Sequence, residues 1–344
     1  YEIIKEELLE IKDKYGDDRK TQIIERAEEL TIEDLIKDED MVIIVSHTDY
    51  IKRLPITLYR KQRRGGRGVI GMDVKDEDFV KGLFIGSTHD YILFFSNIGK
   101  VHWLRVFEIP EGGRLSRGRP LVNLLSLSSG ETIAAAIPIK EFQKEGYLIM
   151  ATKKGLIKKT TISAYSRPRK GGIVGINLVE GDELISVGKT EGADNIILAT
   201  RKGKAIRFSE TDVREMGRAA SGVRGISLTG DDQVVGMEID NGPLSLLTIT
   251  ERGYGKRTDF EKYKIQKRGG KGIINIKIIQ RNGEVVGIKK VGDKDELMMI
   301  TSKGIIIRYG VQDLPKVGRA TQGVKLINLE EGDKVVNAAR ISHL

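Results

Sequence analysis

The chain has 344 residues, no cysteine, four histidines and a net charge of +9. This composition excludes disulfides and thiolate metal sites, and the sequence shows neither a twenty-residue apolar span nor an N-terminal signal pattern. The histidines are far apart in sequence, which argues against a histidine metal site or a catalytic triad. We therefore expect an intracellular, cytoplasmic globular protein without a membrane partner.

The positive charge is concentrated in one part of the chain. Residues 1–40 hold seven Lys or Arg and fifteen Asp or Glu, so residues 41–344 carry a net charge of +17. A basic excess of this size is typical of proteins that bind polyanions. A polyanion partner is therefore expected for residues 41–344.

The first forty residues predict helix. Ile4, Leu8 and Ile11 recur at helical spacing, Gly16 is a stop signal, and a second apolar run extends from residue 23 to residue 30. The apolar residues are too few for an independent core. Residues 1–40 are therefore expected to be a helical segment that ends a larger helical domain.

From Met41 onward, short β-branched runs alternate with tight turns. Tetrapeptides such as Thr200–Gly203 separate two apolar runs, as in a β-hairpin whose glycine supplies a positive φ. Six such turns recur at a period near fifty residues, which indicates repeated supersecondary units. Their last residues, the turn positions, are Asp49, Gly99, Gly155, Gly203, Gly253 and Gly304.

A second glycine marks every unit, 17 to 19 residues after the turn position. These glycines are Gly68, Gly118, Gly172, Gly222, Gly272 and Gly323. Fifty residues of short strands suit a four-stranded blade, and six blades suit a closed all-β ring, with an open solenoid as the alternative. WD-type repeats are excluded because Trp103 is the only tryptophan.

Basic residues keep register with the repeat. Four residues after the turn position lie Arg53, Lys159, Arg207, Arg257 and Arg308, whereas the second unit has Trp103 there and Arg105 two residues later. Cations at one fixed place in five of six blades predict a ring of positive charge.

A second set of cations surrounds the second glycine. We call the six segments 62–70, 112–120, 166–174, 216–224, 266–274 and 317–325 the basic loops. The first contains Gln62, Arg63, Arg64, Gly65, Gly66, Arg67 and Gly68, and the fifth repeats that pattern from Gln266 to Gly272. The other loop cations are Arg114, Arg117 and Arg119; Arg167, Arg169 and Lys170; Arg218 and Arg224; Lys267, Arg268 and Lys271; Arg319 and Lys325.

Two rings of charge would form a curved track for a phosphate backbone. No aromatic ladder accompanies the cations, which argues against base stacking of single strands, and no recognition helix is present to read base edges. The pattern therefore favours double-stranded DNA, bound through its backbone and bent, with little sequence specificity.

Several apparent motifs do not predict chemistry. The segment Gly66–Gly71 has dinucleotide-binding spacing, but more strand-like repeat follows it where that motif needs a helix. No P-loop is present, and Tyr59 has neither a catalytic base nor a metal-binding cluster nearby. No catalytic residue, metal site or cofactor is expected in this chain.

Six units of about fifty residues, with the heptapeptide from Gln62 to Gly68 in the first, closely resemble the C-terminal domain of the A subunit of bacterial DNA gyrase. The heptapeptide looks like that family's signature, the GyrA box. Flanking segments such as Lys14–Asp17, Tyr50–Arg53 and Ser87–Asp90 also look like family sequence, so the resemblance covers essentially the whole chain.

The resemblance implies a six-bladed β-pinwheel over residues 41–344, a propeller-like disc whose blades exchange strands. It implies that duplex DNA wraps around the basic rim with positive handedness, so that the complete gyrase can introduce negative supercoils. Residues 1–40 resemble the end of the family's coiled-coil arm.

The family's other parts set the remaining expectations. Its catalytic tyrosine and its ATP and Mg²⁺ sites belong to portions absent from this sequence, so this chain should bind DNA without cutting it. Its partners would be the other domains of the gyrase A chain and the gyrase B chain, in an A2B2 heterotetramer.

Three rival functions stay open at this point. The C-terminal domain of a topoisomerase IV A subunit is similar but usually has fewer blades and a degraded box. A protein-interaction propeller would not need arginines in register. A propeller enzyme is disfavoured by the scarce histidines and by the lack of a recurrent acid or nucleophile.

Overall fold

The computed structural model describes residues 1–21, 35–46, 48–56, 80–113, 116–142, 146–303 and 305–341. Two compact units make up the chain, Tyr1–Lys37 and Asp38–Leu344. The boundary lies close to the change of sequence pattern at Met41.

Helix α1 (Glu2–Tyr15) forms where the apolar spacing predicts it. It ends at Gly16, whose N–H donates to the Lys12 carbonyl at 2.8 Å, and none of its residues is buried. The second predicted run, residues 23–30, lies outside the described residues. In the described ranges no helix is both long and apolar enough to cross a membrane.

The second unit is built of short strands. The first repeat contains β1 (Asp40–Ser46), β2 (Tyr50–Pro55) and β3 (Val80–Ser87). The second and third contain β4 (Tyr91–Ser96), β5 (Lys100–Arg105), β6 (Arg119–Pro120), β7 (Ile133–Ile139), β8 (Tyr147–Thr152), β9 (Leu156–Thr161), β10 (Ile173–Val174) and β11 (Leu184–Thr190). The fourth, fifth and sixth contain β12 (Asn195–Thr200), β13 (Lys204–Ser209), β14 (Val223–Arg224), β15 (Val234–Asp240), β16 (Ser245–Thr250), β17 (Tyr254–Asp259), β18 (Ile273–Ile274), β19 (Val285–Val291), β20 (Glu296–Thr301), β21 (Ile306–Gly310), β22 (Val324–Lys325) and β23 (Val335–Ile341).

The predicted hairpin turns are confirmed, and their first residue is as important as their last. The turn positions that the structure describes have positive φ, from 57° at Asp49 to 85° at Gly155. In each hairpin the first residue is Ser or Thr, and its hydroxyl accepts the N–H of the residue after the turn position. The distance is 3.1 Å for Leu156 N to Thr152 Oγ1 and 3.2 Å for Lys204 N to Thr200 Oγ1. This side-chain bond explains why serine or threonine recurs there.

The fourth strand of a blade comes from the following repeat. Strand β6 pairs with β2, and the other two-residue strands extend the preceding sheets in the same way, so that the blade orders are β3-β1-β2-β6, β7-β4-β5-β10, β11-β8-β9-β14, β15-β12-β13-β18 and β19-β16-β17-β22. The sixth sheet has the order β21-β20-β23 within the described residues. The predicted four-stranded blade and the strand exchange implied by the resemblance are therefore confirmed: each of the five four-stranded sheets takes its outer strand from the following repeat.

The six sheets form a closed β-propeller, so the solenoid alternative is wrong. Strands β3, β7, β11, β15, β19 and β23 pack against one another in sequence, and β23 returns to β3. They line a central cavity of about 510 Å³. The hydrophobic core lies between neighbouring blades: Ile43 and Val45 of the first, for example, pack with Ile92 and Phe94 of the second.

Candidate nucleic-acid interface

The basic loops of repeats two to six lie at the outer edge of the propeller. Each exchanged strand is at the opposite edge of its sheet from the strand that lines the cavity. The glycine before it has a positive φ, which is 91° at Gly222, and a Cβ there would lie 2.6 Å from the Ile157 carbonyl oxygen. The loop can therefore approach the backbone of the preceding blade only because this residue is glycine.

Most predicted loop cations of repeats two to six are exposed. These are Arg117, Arg119, Arg167, Arg169, Lys170, Arg224, Lys267, Lys271 and Lys325. Arg117 lies over the Tyr50 ring of the preceding blade, 4.0 Å from its centroid, which fixes the guanidinium at the surface. The exposed cations recur at the outer edge of successive blades, as a polyanion interface requires.

Two arginines of the basic loops also have a structural role. Arg268 is half-buried and donates to the carbonyls of Asp212 and Arg224, at 2.8 and 3.1 Å. Arg319 is also half-buried and donates to the Ile274 carbonyl at 3.0 Å. These arginines tie their loops to the neighbouring repeat while they remain partly open to solvent.

The first box, Gln62 to Gly68, lies outside the described residues, as does Arg114. The structure does describe the similar segment of the fifth repeat, Gln266 to Gly272, which we call the twin. There the N–H of Gln266 donates to the Arg207 carbonyl at 2.8 Å, and the N–H of Gly269 donates to the Gly225 carbonyl at 2.6 Å. The twin therefore lies against the fourth repeat, with Lys267 and Lys271 directed to the surface.

The other predicted ring, four residues after the turn position, is not a ring of free charge. The side chains of Arg53, Lys159, Arg207 and Arg257 are between 6 and 16% exposed. Each lies beside a carboxylate: Glu111, Glu210, Asp240 and Asp293 respectively. Arg308 is 45% exposed and donates to Glu296 from Nε at 2.8 Å. The ring of exposed positive charge predicted at this position is not seen, because four of the five side chains are largely buried and every one lies beside a carboxylate of its own or the next repeat.

These residues instead attach the next repeat. The backbone of Arg207 forms a parallel bridge with Ile265, and the Arg207 guanidinium donates to the carbonyls of Phe260 and Tyr263 at 3.0 and 3.1 Å. Arg257 likewise bridges to Lys316, and its Nε donates to Leu314 at 2.8 Å. Cations at this position therefore hold the chain as it enters the next basic loop.

The second repeat is the exception in structure as in sequence. Trp103 replaces the cation, and its indole N–H donates to the Tyr165 carbonyl at 2.9 Å. Arg105 stacks on the Tyr91 ring, 3.8 Å from its centroid. Trp103 thus makes the same kind of bond, to a carbonyl of the next repeat, that the arginines make in other blades.

The sequence pattern missed the residue just before this position. Lys52, Lys158 and Lys256, in the first, third and fifth repeats, are fully buried and donate to backbone carbonyls. Burial lowers the pKa of Lys52 to about 8. Burial, and next the nearby charges of Arg218 and Arg319, lower the pKa of Lys158 and of Lys256 to about 7. The sequence does contain a signal for these lysines. In every second repeat two adjacent residues are basic, and the lysine is the first of the two.

Comparison with known families and sequences gives consistent matches. The family model described as "DNA gyrase C-terminal domain, beta-propeller" matches six segments, residues 40–87, 90–140, 146–191, 194–239, 245–291 and 295–342. The chain is 46% identical to the DNA gyrase A subunit of Salmonella typhimurium over 341 residues, and 45% identical to that of Staphylococcus epidermidis over 345 residues. Each match covers 99% of this chain and 39% of the relative, so the chain spans about two-fifths of the length of these relatives.

Solved structures show the same fold. The C-terminal domain of DNA topoisomerase IV superposes with a TM-score of 0.78 at 26% identity, covering 89% of this chain and 94% of that one. A DNA gyrase A C-terminal domain superposes with a TM-score of 0.69 at 26% identity, covering 88% and 100%. Structural likeness does not separate these two kinds of domain, whereas the sequence identity near 45% lies with gyrase.

Proposed function

Since the chain belongs to the DNA gyrase C-terminal domain family, we propose that its propeller binds duplex DNA along the outer edge of the blades and bends it with little sequence specificity. The observation that carries the proposal is the series of exposed cations on the basic loops of repeats two to six. They stand at equivalent places on successive blades, so a duplex following them must curve.

The DNA contacts in this proposal come from the basic loops. They include the exposed cations, Arg268 and Arg319, and the first box from Gln62 to Gly68. The predicted contacts of Arg53, Lys159, Arg207, Arg257 and Arg308 are replaced by a supporting role, since their charges lie beside carboxylates within the protein.

The proposal extends to the longer protein. We infer that the duplex wraps with positive handedness and that the complete enzyme uses this crossing, with ATP, to introduce negative supercoils. The gyrase B chain and the other domains of the gyrase A chain would be the partners in an A2B2 assembly, with the cleaving tyrosine, ATP and Mg²⁺ on other domains. This chain alone would not cut DNA, and it would act in the cytoplasm, where the chromosome lies.

The rival functions are weaker. Six repeats and an identity near 45% to gyrase chains favour gyrase over topoisomerase IV. A protein-interaction propeller gives no reason for exposed cations to recur on successive outer edges.

The test is the salt dependence of DNA binding. With six or more phosphate contacts, the logarithm of the affinity plotted against the logarithm of the salt concentration should have a slope of about −5 or steeper. Fluorescence anisotropy with long duplexes of unrelated sequence measures this slope and the sequence preference together. A DNA affinity that does not change with salt concentration would contradict the proposed function.

A pair of variants locates the contacts. Replacing Arg169 and Lys170 by alanine should flatten the slope by about 2, because each lost phosphate contact removes about 0.9. Replacing Lys153 and Lys303, which lie outside the basic loops and beside Glu183 and Glu330, removes the same charge and should leave the slope unchanged.

A further inference from the structure

Three lysines are buried beneath the basic loops. Lys52, Lys158 and Lys256 are 0% exposed, although a lysine side chain is rarely fully buried. In the described part of the chain, Lys158 and Lys256 form no ion pair, and the partners of their ammonium groups are backbone carbonyls. A buried ammonium is costly, so its repeated occurrence at one position calls for a role.

The carbonyls that these lysines bind are those of the following basic loop. Lys52 Nζ donates to Gly113 at 3.1 Å and to Ser116 at 2.7 Å. Lys256 Nζ donates to Gly318 at 2.7 Å and to Arg319 at 2.5 Å.

Lys158 joins two loops at once. Its Nζ donates to Gly175 at 2.7 Å, directly after the third basic loop, and also to the Arg218 carbonyl in the fourth. Each ammonium therefore fixes the backbone of a segment that carries exposed or half-exposed arginines.

The repeats without such a lysine provide an internal comparison. The equivalent residue is His102 in the second repeat, which pairs with Glu131 at 2.9 Å, and Ile206 in the fourth, which packs beneath the fifth loop near Gly270. The fifth loop is held by Arg268 instead. The second, fourth and sixth loops are thus anchored from below by lysine. The fifth lies over Ile206, and the third lies over His102, with Lys158 bound only to the residue that follows it.

We propose that Lys52, Lys158 and Lys256 are positioning residues, which hold the following basic loop in the conformation that binds DNA without touching DNA themselves. This inference rests on the proposed function and adds a second layer to the same interface. The charge of the ammonium is part of the role, because a charged donor binds a carbonyl more strongly than a neutral one.

The groups around each ammonium support this role. Lys158 faces Arg218 from the fourth loop and the Tyr165 hydroxyl, which donates to the same Gly175 carbonyl at 3.3 Å. Lys256 faces Arg319 from the sixth loop, and the charge of Arg319 also acts on the buried Tyr263. Burial raises the pKa of both tyrosines, so they remain neutral donors. The arginine of the loop is therefore the charge to which Lys158 and Lys256 are coupled, whereas burial alone lowers the pKa of Lys52.

Because of this coupling, we expect DNA binding to change the protonation state of these lysines. Burial and the neighbouring arginine lower the pKa of Lys158 and Lys256 to about 7, so both forms are populated near neutral pH. If the charged form orders the loop for DNA, then DNA must favour the charged form in return. A protonation step that strengthens DNA binding about tenfold requires DNA to raise the pKa by about one unit.

The first experiment uses Lys158→Met, which keeps an unbranched apolar side chain of similar length and removes the ammonium group. We expect amide hydrogen exchange to speed up at least about tenfold at Met216 and Ala220, whose N–H groups are bonded within and beneath the fourth loop. Gln266 and Gly269 of the fifth loop, which lies over Ile206, should keep their protection. Acceleration across all six blades would show a merely structural lysine and overturn the proposal.

DNA affinity is measured on the same variant. We expect it to fall about two- to tenfold, because the loop must then be ordered when DNA binds. Unchanged affinity together with unchanged exchange would also overturn the proposal. If the natural chain itself binds DNA without salt dependence, the proposed function fails instead, and the exchange data still report whether the lysine holds the loop.

A measurement on the natural protein covers the case in which the variant does not fold. The ammonium nitrogens of ¹⁵N-lysine are titrated by NMR with and without duplex DNA. The pKa values of Lys158 and Lys256 should rise on DNA addition, by about one unit for tenfold coupling. Titrations that are identical with and without DNA would overturn the proposal.

Discussion

Arg207 and Arg224 belong to the same repeat, yet their surroundings are opposite. Arg207 is 13% exposed and lies beside Asp240, whereas Arg224 is exposed in a basic loop. Both were predicted to contact DNA from their register with the repeat. Register shows that a residue has the same environment in each blade, but it does not show what that environment is. Arg207 lies on β13, in the interior of its sheet, where its charge is used inside the protein, whereas Arg224 lies on the short exchanged strand β14 at the outer edge of the third blade.

The buried pair of His102 and Glu131 provides a pH-dependent test at this scale. Burial opposes ionisation of Glu131, but hydrogen bonds from Ser128, His102 and Ser96 outweigh it and lower the pKa from 4.5 to about 2. The folded-state pKa is below the unfolded one, so the ionised carboxylate stabilises the fold above about pH 4.5. This contribution is lost as the pH falls toward 2.

Glu131→Gln should therefore lower the free energy of unfolding by up to about 3 kcal/mol at pH 7. The difference from the natural chain should shrink steadily as the pH falls from about 4.5 to about 2, because the carboxyl of the natural chain is then protonated as well. Urea unfolding at several pH values measures it, with the exposed Glu261→Gln as the control. A difference that stays constant over this pH range would contradict the assignment.

At the scale of elements, the residue pattern alone predicted what is local, whereas the exchange of strands between repeats was predicted only through the family resemblance. Each hairpin turn follows from a Ser or Thr in first place and a glycine, or Asp49 in the first repeat, in last place, and all of that information lies within four residues. The exchange of β14 into the third blade joins residues of two different repeats, and two-residue strands leave no periodicity to detect. In the residue pattern, only the glycine before each exchanged strand marked the exchange. That glycine is required because the chain there closely approaches the backbone of another blade.

Gly222 and Gly217 test that reason within one basic loop. A Cβ at Gly222 meets the Ile157 backbone and the φ is 91°, whereas a Cβ at Gly217 meets nothing within 4 Å. Gly222→Ala should lower the free energy of unfolding by about 2 kcal/mol or more. Gly217→Ala should be close to neutral. Equal effects of the two substitutions in chemical denaturation would show that the approach to the third blade is not what requires glycine.

At the scale of the whole molecule, the closed ring brings the basic loops of successive blades together into one path for DNA. When relaxed circular DNA is closed by ligase with the chain bound, the products should shift toward positive linking difference. Cations on successive outer edges would keep the duplex curved, and the positive sign follows from the positive handedness proposed for the wrap. Unchanged topoisomers at saturating binding would mean that the chain binds DNA without chiral wrapping.

The same assay compares the two boxes. Alanine at Arg63, Arg64 and Arg67 should reduce the linking shift more than the affinity, because other loops still hold the DNA. The matched variant replaces Lys267 and Lys271 and spares Arg268, which supports the fold. Equal losses of affinity and linking shift in the first variant would make the first box one contact among many.

The exchanged strands also place the sequence repeat and the folded blade out of phase by one strand. A chain cut between the third and fourth repeats would yield two pieces, and β14 of the second piece would complete the last sheet of the first. Loss of one whole repeat would bring the next exchanged strand to the vacated edge, so the number of blades can change by whole repeats without exposing an interior sheet edge. Loss of one repeat would also remove one DNA-binding loop, together with the sheet edge that supports the neighbouring loop. Gain or loss of a repeat would therefore alter the length of the DNA path by a full blade while leaving the manner of attachment intact.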